Sequence, residues 1–176
     1  VGNIFFTSDT HFSHANFLTF RDVAGSVIRP FASVEEMDET MIERWNSVVR
    51  DGDKVYHLGD VSFDKSRWPV IAARLRGSKR LVLGNHDDIK RFDLSAHFKR
   101  VQLWRVFKEY DFTCSHIPLA SDQMRTGFNV HGHIHEKPEP SPRHICVCVE
   151  RTNYTPVHLD DIRAEIARRS WAAEAA

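Results

Sequence analysis

The chain's 176 residues include 11 histidines, several of them beside Asp, Asn or Gly. Asp9-Thr10-His11, Gly59-Asp60, Gly84-Asn85-His86-Asp87, His116 and Gly132-His133-Ile134-His135 stand out. Together Asp9, His11, Asp60, Asn85, His86, His116, His133 and His135 offer carboxylates, one amide and imidazoles, but no thiolate. Such oxygen and nitrogen donors suit Mn²⁺, Fe²⁺ or Zn²⁺ rather than Cu(I) or an iron–sulfur cluster. They are too many for one tetrahedral zinc, so two ions are the natural count. A carboxylate can bridge two cations, and a pair roughly 3.5–4 Å apart can clamp a phosphoryl group while activating water for in-line attack. The ions would also bring the positive charge that an anionic substrate needs.

Residues so far apart along the chain meet only if short elements end together. Ile4 to Ser8 is a β-type apolar run that stops at Asp9. Ser33-Val34-Glu35-Glu36 reads as a capping box, followed by Val34, Met37, Met41, Trp45 and Val48 at helical spacing, closed near Asp51-Gly52-Asp53. Lys54 to Leu58 is the next strand, ending at Gly59-Asp60. Trp68 to Arg76 is a second helix, closed by Gly77. Leu81 to Leu83 is a third strand and runs into Gly84-Asn85-His86-Asp87. Strands are then expected over Val101 to Tyr110, Phe112 to Ser115, Phe128 to Val130 and His144 to Val149. With no long helices between them, they argue for an antiparallel or mixed sheet. Alternation places Cys146 and Cys148 on one face of the last of these. Asp160 to Trp171 is a final helix before an Ala-rich tail.

Lys plus Arg and Asp plus Glu each number 24, so no global field draws the chain to nucleic acid or an anionic membrane. Charged substrates must be met locally. No apolar run has bilayer length, and Val1 to Phe6 lacks the basic lead and long apolar stretch of a signal peptide. A soluble cytoplasmic protein with no membrane partner is expected. With 41% hydrophobic residues there is enough apolar side chain for one core, and without repeats the expectation is one domain over residues 1–176. Cys114, Cys146 and Cys148 contain no C-x-x-C and are odd in number, which favours buried reduced thiols.

Taken in order, Asp9-x-His11, Gly59-Asp60, Gly84-Asn85-His86-Asp87, His116 and Gly132-His133-x-His135 resemble the calcineurin-like metallophosphoesterase superfamily. The resemblance spans about Ile4 to Val149. Each motif alone is common, whereas five in order, each ending a predicted strand, are specific. Asp9 to Asn16 and Arg29-Pro30-Phe31 look like a small bacterial or phage-type branch. The resemblance implies an α/β (α+β) fold, a four-layer α/β/β/α sandwich of two mixed sheets with a dinuclear metal site at the strand ends. It implies that Asp9, His11 and His135 hold one divalent transition-metal ion and Asn85, His116 and His133 another, with Asp60 between them. Mn²⁺ is the first choice, with Fe²⁺, Zn²⁺ or Ni²⁺ as alternatives. His86, and Asn85 with it, would meet substrate, and His86 would serve as general acid or stabilise the phosphorane-like transition state. An imidazolium that protonates a departing alkoxide contributes about 10²–10⁴-fold. Asp87 is expected to orient His86.

The superfamily's large phosphatases follow Gly-Asp with Asp and Arg, whereas here Val61-Ser62-Phe63-Asp64 follows, so those roles are not carried over. His14 and Asn16 are candidate substrate contacts in their place. The implied activity is hydrolysis of a phosphate ester by a hydroxide bound to the metal pair, leaning to phosphodiester or nucleotide-type substrates, nucleic-acid esters included. Alternatives are a phosphomonoesterase acting on a small metabolite and a non-catalytic interaction module retaining the fold. His97, His144 and His158 lack motifs and read as structural. His57 could equally support the sheet or the site, and His131 leans structural. Arg21, Arg29, Arg125 and Arg143 are candidates to line a substrate groove.

Overall fold

The computed structural model describes residues 2–88, 93 and 96–174, with residues 173 and 174 described by backbone alone. The first sheet is built from β1 (Ile4–Thr7), β2 (Lys54–His57), β3 (Ser78–Val82), β4 (Val101–Gln102) and β9 (Val157–His158), in the order β4-β3-β2-β1-β9. All its pairings are parallel except β9 with β1. The second sheet, in the order β5-β6-β7-β8, contains β5 (Trp104–Phe107), β6 (Phe112–Ser115), β7 (Phe128–His131) and β8 (His144–Cys146). Here only β5 is antiparallel to its neighbour. Both sheets are therefore mixed, as expected.

Alternation along the strands sorts two cores. Phe5, Val55 and Leu81 face α1 (Val34–Val48) and α2 (Trp68–Arg74), packing with Met37, Met41, Trp45, Trp68 and Ile71. Their neighbours Phe6, Tyr56 and Val82 face the second sheet and pack with Phe107, Phe112, Cys114, Val130 and Ile145. Each large apolar side chain so buried contributes about 1.5–3 kcal/mol, enough to fix strand register on both faces. α3 (Leu159–Glu174) starts beside β9, adds Leu159 and Ile162 to the inter-sheet core, and ties itself near β8 through Arg169 and Glu139, 2.8 Å apart. No helix among the described residues is long and apolar enough to cross a membrane.

The helix starting after Ser33 is capped as its sequence predicts: Ser33 Oγ accepts the Glu36 N–H at 3.1 Å, and Glu36 Oε2 accepts the Ala32 N–H at 2.7 Å. Other boundaries differ from expectation. α2 stops at Arg74, because Leu75 turns extended into the core while Asn46 Oδ1 accepts the Arg76 N–H at 3.0 Å. The stretch from Val101 to Tyr110 is two strands in different sheets, divided at Leu103, followed by a 3-10 turn at Lys108–Tyr110. β8 ends at Cys146, after which Cys148 bridges Ser8 and joins the rims of the two sheets. The final helix continues through the Ala-rich stretch as far as Glu174, and the two-residue β9 carries no alternation that would announce it.

Candidate metal centre

Each candidate ligand lies just beyond the C-terminal end of a strand, as ligands do in open α/β sheets. The β1–β2 pairing continues past the strands: Asp9 N–H donates to Gly59 C=O at 2.9 Å and His11 N–H to Asp60 C=O at 3.0 Å. Gly132 N–H likewise donates to His116 C=O at 2.9 Å beyond β6 and β7. In these extensions Asp9, His11, Asp60, His133 and His135 all adopt positive φ, at 57°, 44°, 58°, 71° and 50°. Non-glycine residues pay about 1–3 kcal/mol for such a conformation, and strain of this kind gathers at functional sites. α1 steadies the first loop, since Asp38 accepts both the Ser13 N–H and its hydroxyl at 2.8 Å.

Asp9, His11 and His135 converge, with donor atoms all within 4.8 Å of one another, and so do Asp9, Asp60 and His116. The two Asp9 oxygens have different company. Oδ2 accepts the Ser8 hydroxyl, the Cys148 thiol at 3.3 Å and the His133 N–H at 2.9 Å. Oδ1 is buried and accepts no hydrogen bond, and faces His135 Nε2 at 3.6 Å and His11 Nε2 at 3.8 Å. A buried carboxylate oxygen without a donor costs several kcal/mol unless a cation meets it. Asp60 repeats the division: Oδ1 accepts the His86 N–H at 2.8 Å, while Oδ2 lies 3.5 Å from His11 Nε2 and 3.4 Å from His116 Nε2. Asn85 Oδ1 stands 2.9 Å from His116 Nε2 and 3.0 Å from His133 Nδ1. Asn85 thus joins His116 and His133 on one side, Asp9 joins His11 and His135 on the other, and Asp60 Oδ2 faces both. Glycine makes the approach close enough: a Cβ on Gly84 would collide with the Asp60 carboxylate, and one on Gly132 with Ser8 and Asp9. The donor set and its cradle therefore fit a pair of divalent cations.

The electrostatics agree. Burial alone would raise the Asp9 pKa, but the neighbouring imidazoles of His11, His116 and His135 outweigh it and hold the group well below the carboxylate range. Burial would lower His116, yet the Asp60 hydrogen bond and the Asp9 and Asp60 charges push it up to about 9. The carboxylates thus favour positive charge at this spot, whether a proton or a metal ion. His116 Nδ1 lies 2.7 Å from Leu58 C=O, which only an N–H can satisfy, so Nε2 is the atom left for a cation.

Behind the cluster stand Glu150, which no motif singles out, and Arg29, expected instead along a substrate groove. Glu150 Oε1 accepts the His135 Nδ1–H at 3.1 Å and turns Nε2 toward Asp9. Arg29, fully buried, gives Nε to the same Glu150 oxygen at 2.8 Å and Nη1 to Thr10 C=O at 2.7 Å, with its guanidinium 4.0 Å above the Phe17 ring. Arg29 therefore braces the Asp9 loop and does not line a groove. Arg143 is likewise spent on the backbone carbonyls of Thr126 and Gly127. The carboxylate after the alternating run to Val149 and the Arg29-Pro30-Phe31 motif were the available signals. Removing the Glu150 charge as Glu150→Gln is expected to weaken metal binding about 10–100-fold, measured by competition with a chromogenic chelator. His135, Cys148 and Glu150 also lie close enough to group, but Glu150 is taken by Arg29 and His135, and burial holds Cys148 as a thiol.

Asp87 does not orient the His86 ring; it accepts the N–H groups of Asp60, Val61 and Gly84 at 2.9, 3.0 and 2.8 Å and fixes the Asp60 turn. His86 stands exposed, its ring 5.6 Å from that of His11. His14 reaches the rim, 5.9 Å from the His11 ring, and burial lowers its pKa to about 4, so its ring is neutral near pH 7. Asn16 is exposed on the neighbouring 3-10 turn, Ala15–Leu18. Asp64 accepts the Ser66 N–H and hydroxyl in the turn before α2 and lies outside the cluster. His144 is structural, bonded to Ser141 Oγ and Leu119 C=O, each at 2.8 Å. His131 is buried, its Nδ1 2.8 Å from Gly132 C=O. The three cysteines are free and buried, with Cys146 and Cys148 sulfurs 3.3 Å apart on one face.

His57 supports the loops rather than the metals. Its Nδ1 accepts the Gly59 N–H at 3.2 Å, so Nε2–H donates to Thr10 Oγ1 at 2.9 Å, and that hydroxyl donates to Val61 C=O at 2.7 Å. Burial lowers its pKa to about 3. The folded protein keeps this ring neutral while the unfolded chain protonates it near 6.5, so its stabilising effect is complete above pH 6.5 and declines as pH falls toward 3. Wild type should exceed His57→Gln in stability at pH 7.5, with the gap narrowing at pH 5. Denaturant midpoints at the two pH values check this.

A family model for calcineurin-like phosphoesterases matches residues 2–173. The chain is 36% identical over 168 residues to the uncharacterised protein MJ1445 of Methanocaldococcus jannaschii, covering 89% of this chain and 87% of that one. It is 33% identical over 127 residues to the gene 66 protein of Mycobacterium phage L5, covering 69% and 58%. The fold is similar to the crystal structure of AQ665, a protein of unknown function from Aquifex aeolicus, with a TM-score of 0.71 and 24% identity over 92% of this chain and 98% of that one.

Proposed function

The chain belongs to the calcineurin-like phosphoesterase family, and from that premise we propose that its metal-dependent hydrolysis of phosphoric esters is directed at phosphodiester or nucleotide-type substrates. The observation that carries the reading is the meeting of two buried carboxylates with imidazole nitrogens: Asp9 Oδ1 has no donor, and Asp60 Oδ2 faces His11 and His116 together. Asp9, His11 and His135 would hold one ion and Asn85, His116 and His133 the other, with Asp60 shared. Mn²⁺ suits this oxygen and nitrogen set. Two such ions supply charge neutralisation for a phosphate and acidify the attacking water.

The chain's own groups do the rest. Glu150 keeps the His135 ring turned toward Asp9, Leu58 C=O does the same for His116, and Asp87 fixes the Asp60 turn. His86, whose N–H is pinned to Asp60, presents an exposed ring at the rim to donate a proton to the departing oxygen. Arg29, which touches the Asp9 loop, is committed to Glu150 and the Thr10 carbonyl, so it offers no second cation for a dianionic monoester. A diester carries one negative charge fewer and is the better match.

Stripping metal with a chelator and restoring Mn²⁺ tests this, with bis(p-nitrophenyl) phosphate and p-nitrophenyl phosphate as substrates. Activity should vanish and return, with the diester hydrolysed faster. Hydrolysis indifferent to metal would refute the mechanism, and a faster monoester the substrate class.

A further inference from the structure

Phe63 and Phe20 are exposed to 57% and 42%, yet neither is a stray surface ring. Both pack on His14, Phe63 with 4.0 Å between ring centroids and Phe20 with 5.9 Å. Phe17, buried beneath, lies 5.1 Å from His14, 5.3 Å from Phe20, 4.9 Å from His11 and 5.2 Å from His135. The rings form one continuous group, closed at its inner end by two proposed metal ligands and open to solvent at the outer end. Their backbones are tied down. Phe63 N–H donates to Phe12 C=O at 2.9 Å, and Phe20 accepts the Ile28 N–H at 2.9 Å while donating to Asn16 C=O at 3.0 Å. Phe20 and Phe63 follow β1 and β2, on the loops that carry His11 and Asp60, so chain geometry sets the rings at a fixed place relative to the cluster.

Aromatic faces left in water beside a phosphate-binding site gain most from a flat π-system, which a sugar or alkyl ester lacks. We propose that Phe63 and Phe20, arranged around His14, form a subsite for the planar base of a nucleotidyl ester whose phosphate lies at the cluster. The proposal rests on the phosphoesterase reading above and narrows its substrate class. The chain's formal charge of zero points to short esters rather than a long polymer track.

The test compares a dinucleotide phosphodiester with its abasic counterpart on the Mn²⁺-loaded protein, and follows adenosine binding to the metal-free protein by NMR. The base should raise kcat/KM about 10-fold, as expected for one stacked base. Phe63→Ala should bring the ratio toward one and abolish the adenosine shifts, while Phe63→Trp retains both. Phe63 is largely exposed, so the variant should fold, and its denaturation midpoint verifies that. Equal turnover of the two diesters would overturn the subsite and leave the phosphoesterase reading standing. Adenosine binding lost in Phe63→Ala, with no ester hydrolysed, would keep the subsite and refute the activity. A preference for simple aryl esters over nucleotidyl ones would overturn the assignment to a base.

Discussion

Asp60→Asn should strip the protein of most of its bound metal and lower turnover by more than the roughly 10–100-fold that loss of a residue behind a ligand costs. The substitution is nearly isosteric, and the asparagine oxygen can still accept the His86 N–H that Oδ1 takes at 2.8 Å. What changes is the other position. An NH₂ would replace Oδ2, the one atom 3.5 Å from His11 Nε2 and 3.4 Å from His116 Nε2, and would turn a donor toward any cation between them. The Asp60 carboxylate also helps raise His116 to about 9, so in the metal-free variant that imidazole should titrate lower. Elemental analysis and histidine NMR give separate readouts. Two retained metals per chain would contradict the assignment of Asp60 as the shared ligand.

The second large effect belongs to His86. His86→Ala should lower turnover about 10²–10⁴-fold, the range for loss of a general acid. Metal content should stay near wild type, because the group that touches Asp60 is the backbone N–H, which alanine keeps. The loss should be greater for an ester with a poor alkoxide leaving group than for a p-nitrophenyl ester, whose phenolate departs unaided. An equal loss on both would mean that His86 positions substrate without donating a proton.

Much of this arrangement could be read before any coordinates, for a physical reason. Short apolar runs at Ile4, Lys54 and Leu81 each stop at a polar group, and in an α/β sheet parallel strands deliver their C-terminal ends to one edge. The alternation that separates Phe5 from Phe6 and Val55 from Tyr56 into two cores follows from the same period of two. What spacing cannot announce is a partner chosen in three dimensions. Arg29 and Glu150 meet across 121 residues, and the role of each follows only from the other. Asp87 sits beside His86 in the chain, yet its carboxylate points at the backbone of the Asp60 turn. The stretch from Val101 to Tyr110 reads as one strand because nothing at Leu103 reports that the chain is crossing between sheets. Sequence leaves His57 undecided for a similar reason, since its partners Thr10 and Gly59 belong to two loops that lie together only in the folded chain.

Crystals grown with Mn²⁺ and measured for anomalous scattering test the dinuclear centre most directly. Two peaks are expected astride Asp60, one contacting Asp9, His11 and His135, the other Asn85, His116 and His133. A single peak, or none at this rim, would contradict it.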